Sequence, residues 1–165
     1  MIPTPPLARG TVLLARFPYD QAPRLPGPTP HFCLLASVSR FKDIDVAAVA
    51  YGTSRLDEDL LRYHQGLILS VPSQHIRGPE MSSPVTHFVI DHVALMPLNS
   101  AWFLPFRARL DCFKPAHRSD PWRRRLLEAF EQCEPMLRAS ALEAIDSVID
   151  TQQFGLPAGK LLRPG

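Results

Sequence analysis

Short apolar runs separated by turn residues fill the first two thirds of the chain. The runs lie at 11–17, 31–38, 44–51, 65–71 and 86–95, and most are rich in β-branched or aromatic residues. Runs this short, bounded by proline, glycine or polar residues, are typical of β-strands, although periodicity alone does not separate some of them from buried helix fragments. Five short strands joined by long loops predict a small barrel or a strongly coiled sheet.

The last third of the chain has a helical pattern instead. Asp120 followed by Pro121 is a good helix start, because the carboxylate can cap the first turn and proline suits the first helical position. Apolar residues then recur at helical spacing until Pro135, which predicts a helix end or kink. The sequence Ser-Ala-Leu-Glu from Ser140 is a capping box for a second helix. The predicted helices cover about 121–134 and 140–151.

Together these patterns predict an α+β protein that is mostly β with C-terminal helices. Residues 1–104 are expected to form the barrel, and residues 105–165 an extension whose two helices pack on it or face a partner. The 18 prolines among 165 residues argue against long helices in most of the sequence. Residues 154–165, rich in glycine and proline, are expected to form a frayed tail.

Charge is distributed unevenly along the chain. Residues 103–125 carry seven basic against two acidic side chains, and residues 126–150 carry six acidic against one basic. A basic stretch can bind phosphate, but an acidic stretch so close to it can also neutralise it within the fold.

Several functional classes are excluded or disfavoured by the sequence. No apolar run reaches the ~18 residues needed to span a bilayer, and the N-terminus lacks the pattern of a signal peptide. Three widely spaced cysteines fit neither a zinc site nor a disulfide framework, so we expect a cytoplasmic protein. The six histidines form no metal-binding motif, and we expect no cofactor. His87 and His92, five residues apart, are expected on opposite faces of a strand.

One ordered set of short motifs carries more chemical information. A first strand leads through an aromatic and a proline into a proline-rich loop, a second strand follows, and a third ends in a glycine and two hydroxyl residues. Later segments add a Thr-x-Phe strand and a Met-Pro pair before two aromatics. In chain order the motifs are Arg16-Phe17-Pro18-Tyr19, His31-Phe32, Tyr51-Gly52-Thr53-Ser54, Thr86-His87-Phe88, Met96-Pro97 and Trp102-Phe103.

In this order and spacing the chain resembles the MazF/PemK group of type II toxin–antitoxin ribonucleases, as a divergent bacterial member, over about residues 9–104. The resemblance implies an SH3-like barrel that is usually a homodimer, binds an antitoxin protein and cleaves single-stranded RNA without a metal. The ribose 2′-hydroxyl attacks its own phosphate, which requires a proton acceptor or shuttle and a cation that stabilises the phosphate charge.

The family pairs an arginine at the start of the second strand with a threonine at the end of the third. Thr53 matches the threonine, with Ser54 beside it, whereas His31 occupies the arginine position. Arginine is always charged and makes bidentate hydrogen bonds to phosphate, while histidine can act as an acid or a base. The resemblance therefore gives Thr53, His31 and Ser54 as candidate catalytic residues. The candidate RNA-binding residues are Arg16, Tyr19, Arg24, Tyr51 and Arg55.

Two functions stay open at this point, with a scaffold role as a third. The chain is either an endoribonuclease toxin or a catalytically impaired barrel of the same type that binds protein or RNA. The segment Gly52-Thr53-Ser54 also suits an ordinary strand-end turn, and the nearby aromatic residues also suit a core.

Overall fold

The computed structural model of the chain describes residues 1–58, 67–77, 84–114 and 119–157. These residues form one antiparallel sheet and one long C-terminal helix. The prediction of a mostly β chain of α+β class is thereby confirmed. Within the described part of the chain, no helix is long and apolar enough to cross a membrane.

The sheet has its strands in the order β4-β6-β3-β2-β1-β7-β5, and neighbouring strands run antiparallel. The strands are β1 (Thr11–Ala15), β2 (His31–Phe41), β3 (Ile44–Thr53), β4 (Ile68–Pro72), β5 (Ile76–Arg77), β6 (Val85–Pro97) and β7 (Phe103–Leu110), and the helix is α1 (Pro121–Thr151).

The two outer strands of the sheet are neighbours along the chain. Only the 3-10 turn Ser73–His75 separates the end of β4 from the start of β5. Because three residues span only about 10 Å, the sheet must curl until its opposite edges approach each other. No ladder joins β4 to β5 within the described ranges, so the curled sheet is not closed.

Alternating side chains build an apolar core on each face of the sheet. The helix-side core combines strand residues such as Leu34 and Phe88 with Phe130 of α1. The second core lies on the other face and contains Leu13 and Phe17. Side chains with a period of two therefore bury both faces of the central strands.

A cluster of ionic side chains fastens the start of α1 to the curled sheet. Asp111, which follows β7, is buried and lies with Oδ1 3.3 Å from Nδ1 of His75 and Oδ2 2.8 Å from Nε of Arg123. Arg123 also pairs with Asp120, whose carboxylate accepts hydrogen bonds from the first backbone N–H groups of the helix. The predicted cap at Asp120 is confirmed. Arg123 connects it to Asp111, which follows β7, and Asp111 in turn contacts His75, which follows β4.

Helix α1 is continuous, so the prediction of two helices separated near Pro135 is wrong. Pro135 is exposed and lacks the N–H that would bond one turn back. Phe130 and Leu137, on either side of it, are both buried in the helix-side core. The free energy gained by burying these two residues keeps the two halves of the helix collinear, and it exceeds the local cost of proline within the helix. Ser140, predicted as a cap, is buried within the helix.

Strand β7 crosses the boundary that was predicted at residue 104. It pairs with β1 on one side and with β5 on the other, so residues 105–110 belong to the sheet and not to a helical extension. Pro105 makes this segment look unlike a strand in the sequence, because proline has no N–H to donate to a β-ladder. The β1–β7 register is irregular between Leu13 and Ala15, opposite this proline, and an irregularity of this kind tolerates a residue without an N–H.

The start of the segment predicted to fray is ordered. Gly155 bridges to Leu95, and Leu156 is fully buried in the second core. Gly155 has a φ of +112°, and a Cβ there would lie 2.0 Å from the carbonyl oxygen of Pro23. Residues 158–165, the rest of the predicted tail, lie outside the described residues.

Replacing Pro135 by alanine is expected to stabilise the protein, because alanine restores the missing N–H and favours helix. We expect a gain of about 1–3 kcal/mol in the free energy of unfolding, measured by urea denaturation. Gln132→Ala, an exposed neighbour in the same helix, is the control and should change stability by less than about 0.5 kcal/mol. A loss of stability in Pro135→Ala would mean that the helix needs the proline.

Candidate functional site

A shallow cavity of about 230 Å³ lies where β2 begins and β3 ends. The predicted catalytic residues His31, Thr53 and Ser54 all line it, although the first is far from the other two in the sequence. The remaining lining residues are Thr29, Pro30, Phe32, Gly52 and Thr86.

Gly52 permits the close approach of the two strands beside the cavity. A Cβ at this position would lie 1.8 Å from the carbonyl oxygen of Phe32, a distance that no side chain tolerates. The ladder between β2 and β3 ends where Leu34 pairs with Ala50, and beyond that pair the Phe32 carbonyl group lies against the face of Gly52. Glycine is therefore required for the contact that brings His31 to the cavity.

His31 sits in a partly apolar environment. Its ring centroid is 5.0 Å from that of Tyr51. Burial lowers the pKa of His31, and a hydrogen bond to the Gly52 backbone opposes that effect. The neutral imidazole is thus favoured near pH 7, so His31 suits a proton acceptor better than a fixed cation.

Tyr51 links the cavity to the second core. Its ring lies 5.1 Å from Phe17 and 6.0 Å from His92, measured between centroids. Burial raises the pKa of Tyr51, and a hydrogen bond with the Thr53 side chain lowers it. Tyr51 is half-buried and surrounded by aromatic rings, so it is a packing residue as well as a predicted RNA contact.

Thr53 has the strand-end turn geometry that the sequence also suggested. Its Oγ1 accepts a hydrogen bond from the backbone N–H of Arg55 at 3.1 Å. The same hydroxyl donates to Tyr51, so donation to a substrate oxygen exchanges for that contact. Ser54 and Arg55 are exposed at the rim.

The predicted RNA-binding arginines are not gathered in the cavity. No lysine or arginine is among the described residues that line it. Arg24 donates to the backbone carbonyl of Gln153 at 3.3 Å, and Arg16 and Tyr19 lie where the loop 18–30 begins. Arg55, two residues after Thr53, is the predicted cation nearest to the cavity along the chain.

Three arginines of the basic stretch at 103–125 are engaged within the fold. Arg123 pairs with Asp111 and Asp120, while Arg107 and Arg109 donate to backbone carbonyls near the N-terminus. Of these three, Arg123 is neutralised by carboxylates, whereas Arg107 and Arg109 keep their net charge.

Sequence reasoning missed His87 as the neighbour of Thr53 and Ser70 as the partner of His87. In the sheet ladders His87 pairs with Thr53 on one side and with Ser70 on the other, and His87 Nδ1 lies 2.7 Å from Ser70 Oγ. Burial lowers the pKa of His87. The histidine itself was visible in the Thr-x-Phe motif, but its partner on another strand was not.

The prediction that His87 and His92 occupy opposite faces of the strand is wrong. The β3–β6 register shifts between Ala50, which pairs with Val93, and Tyr51, which pairs with Val89. The irregularity inserts an odd number of residues into β6, which reverses the alternation of faces. His92 consequently contacts Tyr51, on the same face as Thr53 and His87.

Metal ligands are not clustered in this part of the molecule. Within the described ranges, no three His, Cys, Asp or Glu side chains form a group that could hold a metal ion. The side chains that line the cavity offer hydroxyl and imidazole groups, which transfer protons and donate hydrogen bonds.

Gly52→Ala is expected to destabilise the protein by more than about 2 kcal/mol, because the methyl group collides with backbone rather than with a movable side chain. Thermal and urea unfolding measure the change. The exposed neighbour substitution Ser54→Ala should cost less than about 0.5 kcal/mol. Equal stabilities for the two variants would contradict the close strand contact.

The imidazole of His31 is expected to titrate below its usual pKa of ~6.5 in an NMR titration. Since the unfolded chain takes up this proton more readily, the contribution of His31 to stability is present above about pH 6.5 and is lost as pH falls through the lowered folded pKa. His31→Gln should reduce the acid sensitivity of unfolding in that window. A midpoint at or above 6.5 would contradict the buried environment.

Comparisons with known proteins provide no further assignment. No protein-family model, curated protein or solved structure matches the chain. The ordered motifs in the sequence and the geometry of the cavity are the features of this chain that bear on its function.

Proposed function

We propose that the protein is a metal-independent endoribonuclease of the MazF/PemK type, a cytoplasmic toxin that cleaves single-stranded RNA. The observation that carries the proposal is the shared cavity in which His31, Thr53 and Ser54 meet. The ordered motifs of the sequence name the same residues independently.

The curled sheet supports an SH3-like barrel as the underlying architecture. A sheet whose edge strands are joined by the 3-10 turn Ser73–His75 comes close to closure without a closing ladder. Small barrels of this kind commonly present binding sites at strand ends and in long loops. The cavity and the loop 18–30 occupy such positions.

The reaction is transesterification within the RNA chain. His31 accepts the proton of the ribose 2′-hydroxyl, the 2′-oxygen attacks the adjacent phosphorus, and the bond from phosphorus to the 5′-oxygen breaks. The products are a 2′,3′-cyclic phosphate and a 5′-hydroxyl. Thr53 and Ser54 donate hydrogen bonds to the phosphate oxygens, and Arg55 provides positive charge at the rim.

The remaining predicted residues serve RNA binding. Tyr19, exposed on the loop, and the accessible part of Tyr51 offer ring faces for unstacked bases. Arg16 and Arg24 contribute charge along the approach to the cavity. The resemblance further suggests a homodimer that is neutralised by an antitoxin protein.

Purified protein should cleave a mixed-sequence single-stranded RNA in the presence of EDTA and leave 2′,3′-cyclic phosphate ends. Thr53→Ala and His31→Ala should each lower the rate at least ~100-fold, as expected for loss of a proton-transfer group or a transition-state donor. Ser39→Ala, on β2 away from the cavity, serves as a folded control. Intact RNA across pH 5–8 with the wild-type protein would refute the ribonuclease.

A second candidate is a barrel that binds RNA or a protein partner without catalysis. The absence of lysine and arginine from the described lining of the cavity favours it, because phosphate charge in the transition state would lack a fixed counter-charge. This function predicts binding of a fluorescent RNA that weakens with salt and with Arg55→Ala, while the RNA stays intact.

A further inference from the structure

We propose that His87 is a second proton-transfer residue of the site, held in position by Ser70. The inference rests on the proposed ribonuclease function and adds a catalytic residue to it. It starts from the hydrogen-bonded His87–Ser70 pair, which lies directly beside Thr53 in the sheet.

Three polar residues form a row across three consecutive strands. Thr53 pairs with His87, and His87 pairs with Ser70, so their side chains project from the same face. His31 lies near the Thr53 end of this row, because it lines the same cavity as Thr53 and its ring is 5.0 Å from that of Tyr51.

Solvent reaches His31 and each member of this row. His31, Thr53 and His87 are partly exposed, and Ser70 is exposed, whereas the flanking Phe88 and Leu69 are buried. Directly paired residues have Cβ atoms about 5 Å apart, so a phosphate bound at the Thr53 hydroxyl lies within reach of the paired His87. Buried structural histidines such as His92 lack this access.

The Ser70 contact determines which ring nitrogen of His87 faces the substrate. With Nδ1 hydrogen-bonded to Ser70 Oγ, Nε2 is the nitrogen that can exchange a proton with RNA. Burial lowers the pKa of His87 as it lowers that of His31, so its protonated form depends on the negative charge of the bound phosphate. Once charged beside the phosphate, a partly desolvated imidazolium gives up its proton more readily than one in water. His87 therefore suits the role of general acid.

The proposed step balances protons and electrons. His31 takes the 2′-hydroxyl proton while the bond between the 2′-oxygen and phosphorus forms. The electron pair of the breaking bond goes to the 5′-oxygen, which receives the Nε2 proton of His87. Exchange with water then returns both imidazoles to their starting states. A pair of histidines can both accept and donate a proton, whereas a single arginine stays charged and can do neither.

Cleavage of two matched RNA substrates tests this role, once the cleaved bond has been mapped with the wild-type protein. One substrate is ordinary RNA, and the other carries sulfur in place of the bridging 5′-oxygen at that bond. A thiolate leaves without protonation, so loss of a general acid slows only the ordinary substrate. His87→Gln should reduce cleavage of ordinary RNA about 100-fold and of the sulfur substrate less than about 10-fold.

Three further variants distinguish a positioning role of Ser70 from a general effect on folding. Ser70→Ala should reduce cleavage of ordinary RNA several-fold with little effect on the sulfur substrate, whereas His31→Gln should slow both. Ser39→Ala, the matched serine control, should leave both rates and the melting temperature unchanged.

Three outcomes would overturn the assignment of His87. If His87→Gln cleaves ordinary RNA at the wild-type rate, the acid role fails while the ribonuclease stands. Equal losses on both substrates would show a structural role instead. If wild-type protein cleaves no RNA, the proposed function fails, and a catalytic His87 fails with it.

Discussion

The three-residue connection between the two edge strands is the constraint on which the rest of the structure depends. Strands β4 and β5 lie at opposite ends of the strand order and are joined only by Ser73–His75. The sheet has to curl to satisfy this connection. His75 itself lies 3.3 Å from the buried Asp111, which also holds Arg123 at the start of α1. One cluster thus secures the curl of the sheet and the position of the helix.

The candidate site lies on consecutive strands of the sheet. The ladders between β3, β6 and β4 place Thr53, His87 and Ser70 on one surface, while apolar residues of the same strands enter the cores. Gly52 provides the close strand contact, and the irregular register of β6 sets the face on which its two histidines lie. The site therefore depends on backbone geometry at least as much as on the identity of its side chains.

Local sequence signals predicted the secondary structure correctly where tertiary packing favours the same structure, and wrongly where packing favours another. The cap at Asp120 satisfies backbone groups of its own helix, and the structure confirms it. Pro135 was expected to stop the helix, but buried residues on both sides hold the helix continuous. Strand β7 was missed because Pro105 obscures it, and only its pairing with β1 and β5 reveals it.

The sequence by itself determined the α+β class, the central strands, the start of the helix and the candidate residues His31, Thr53 and Ser54. The first three follow from side-chain periodicity and capping chemistry, which are local properties of the chain, whereas the candidate residues are what the resemblance of the ordered motifs implies. Only the tertiary structure decided that His87 stands beside Thr53 and that Ser70 stands beside His87. It also decided that the described lining of the cavity is free of lysine and arginine. Strand register and irregularities in β-ladders arise from contacts between distant segments, and no local pattern encodes them.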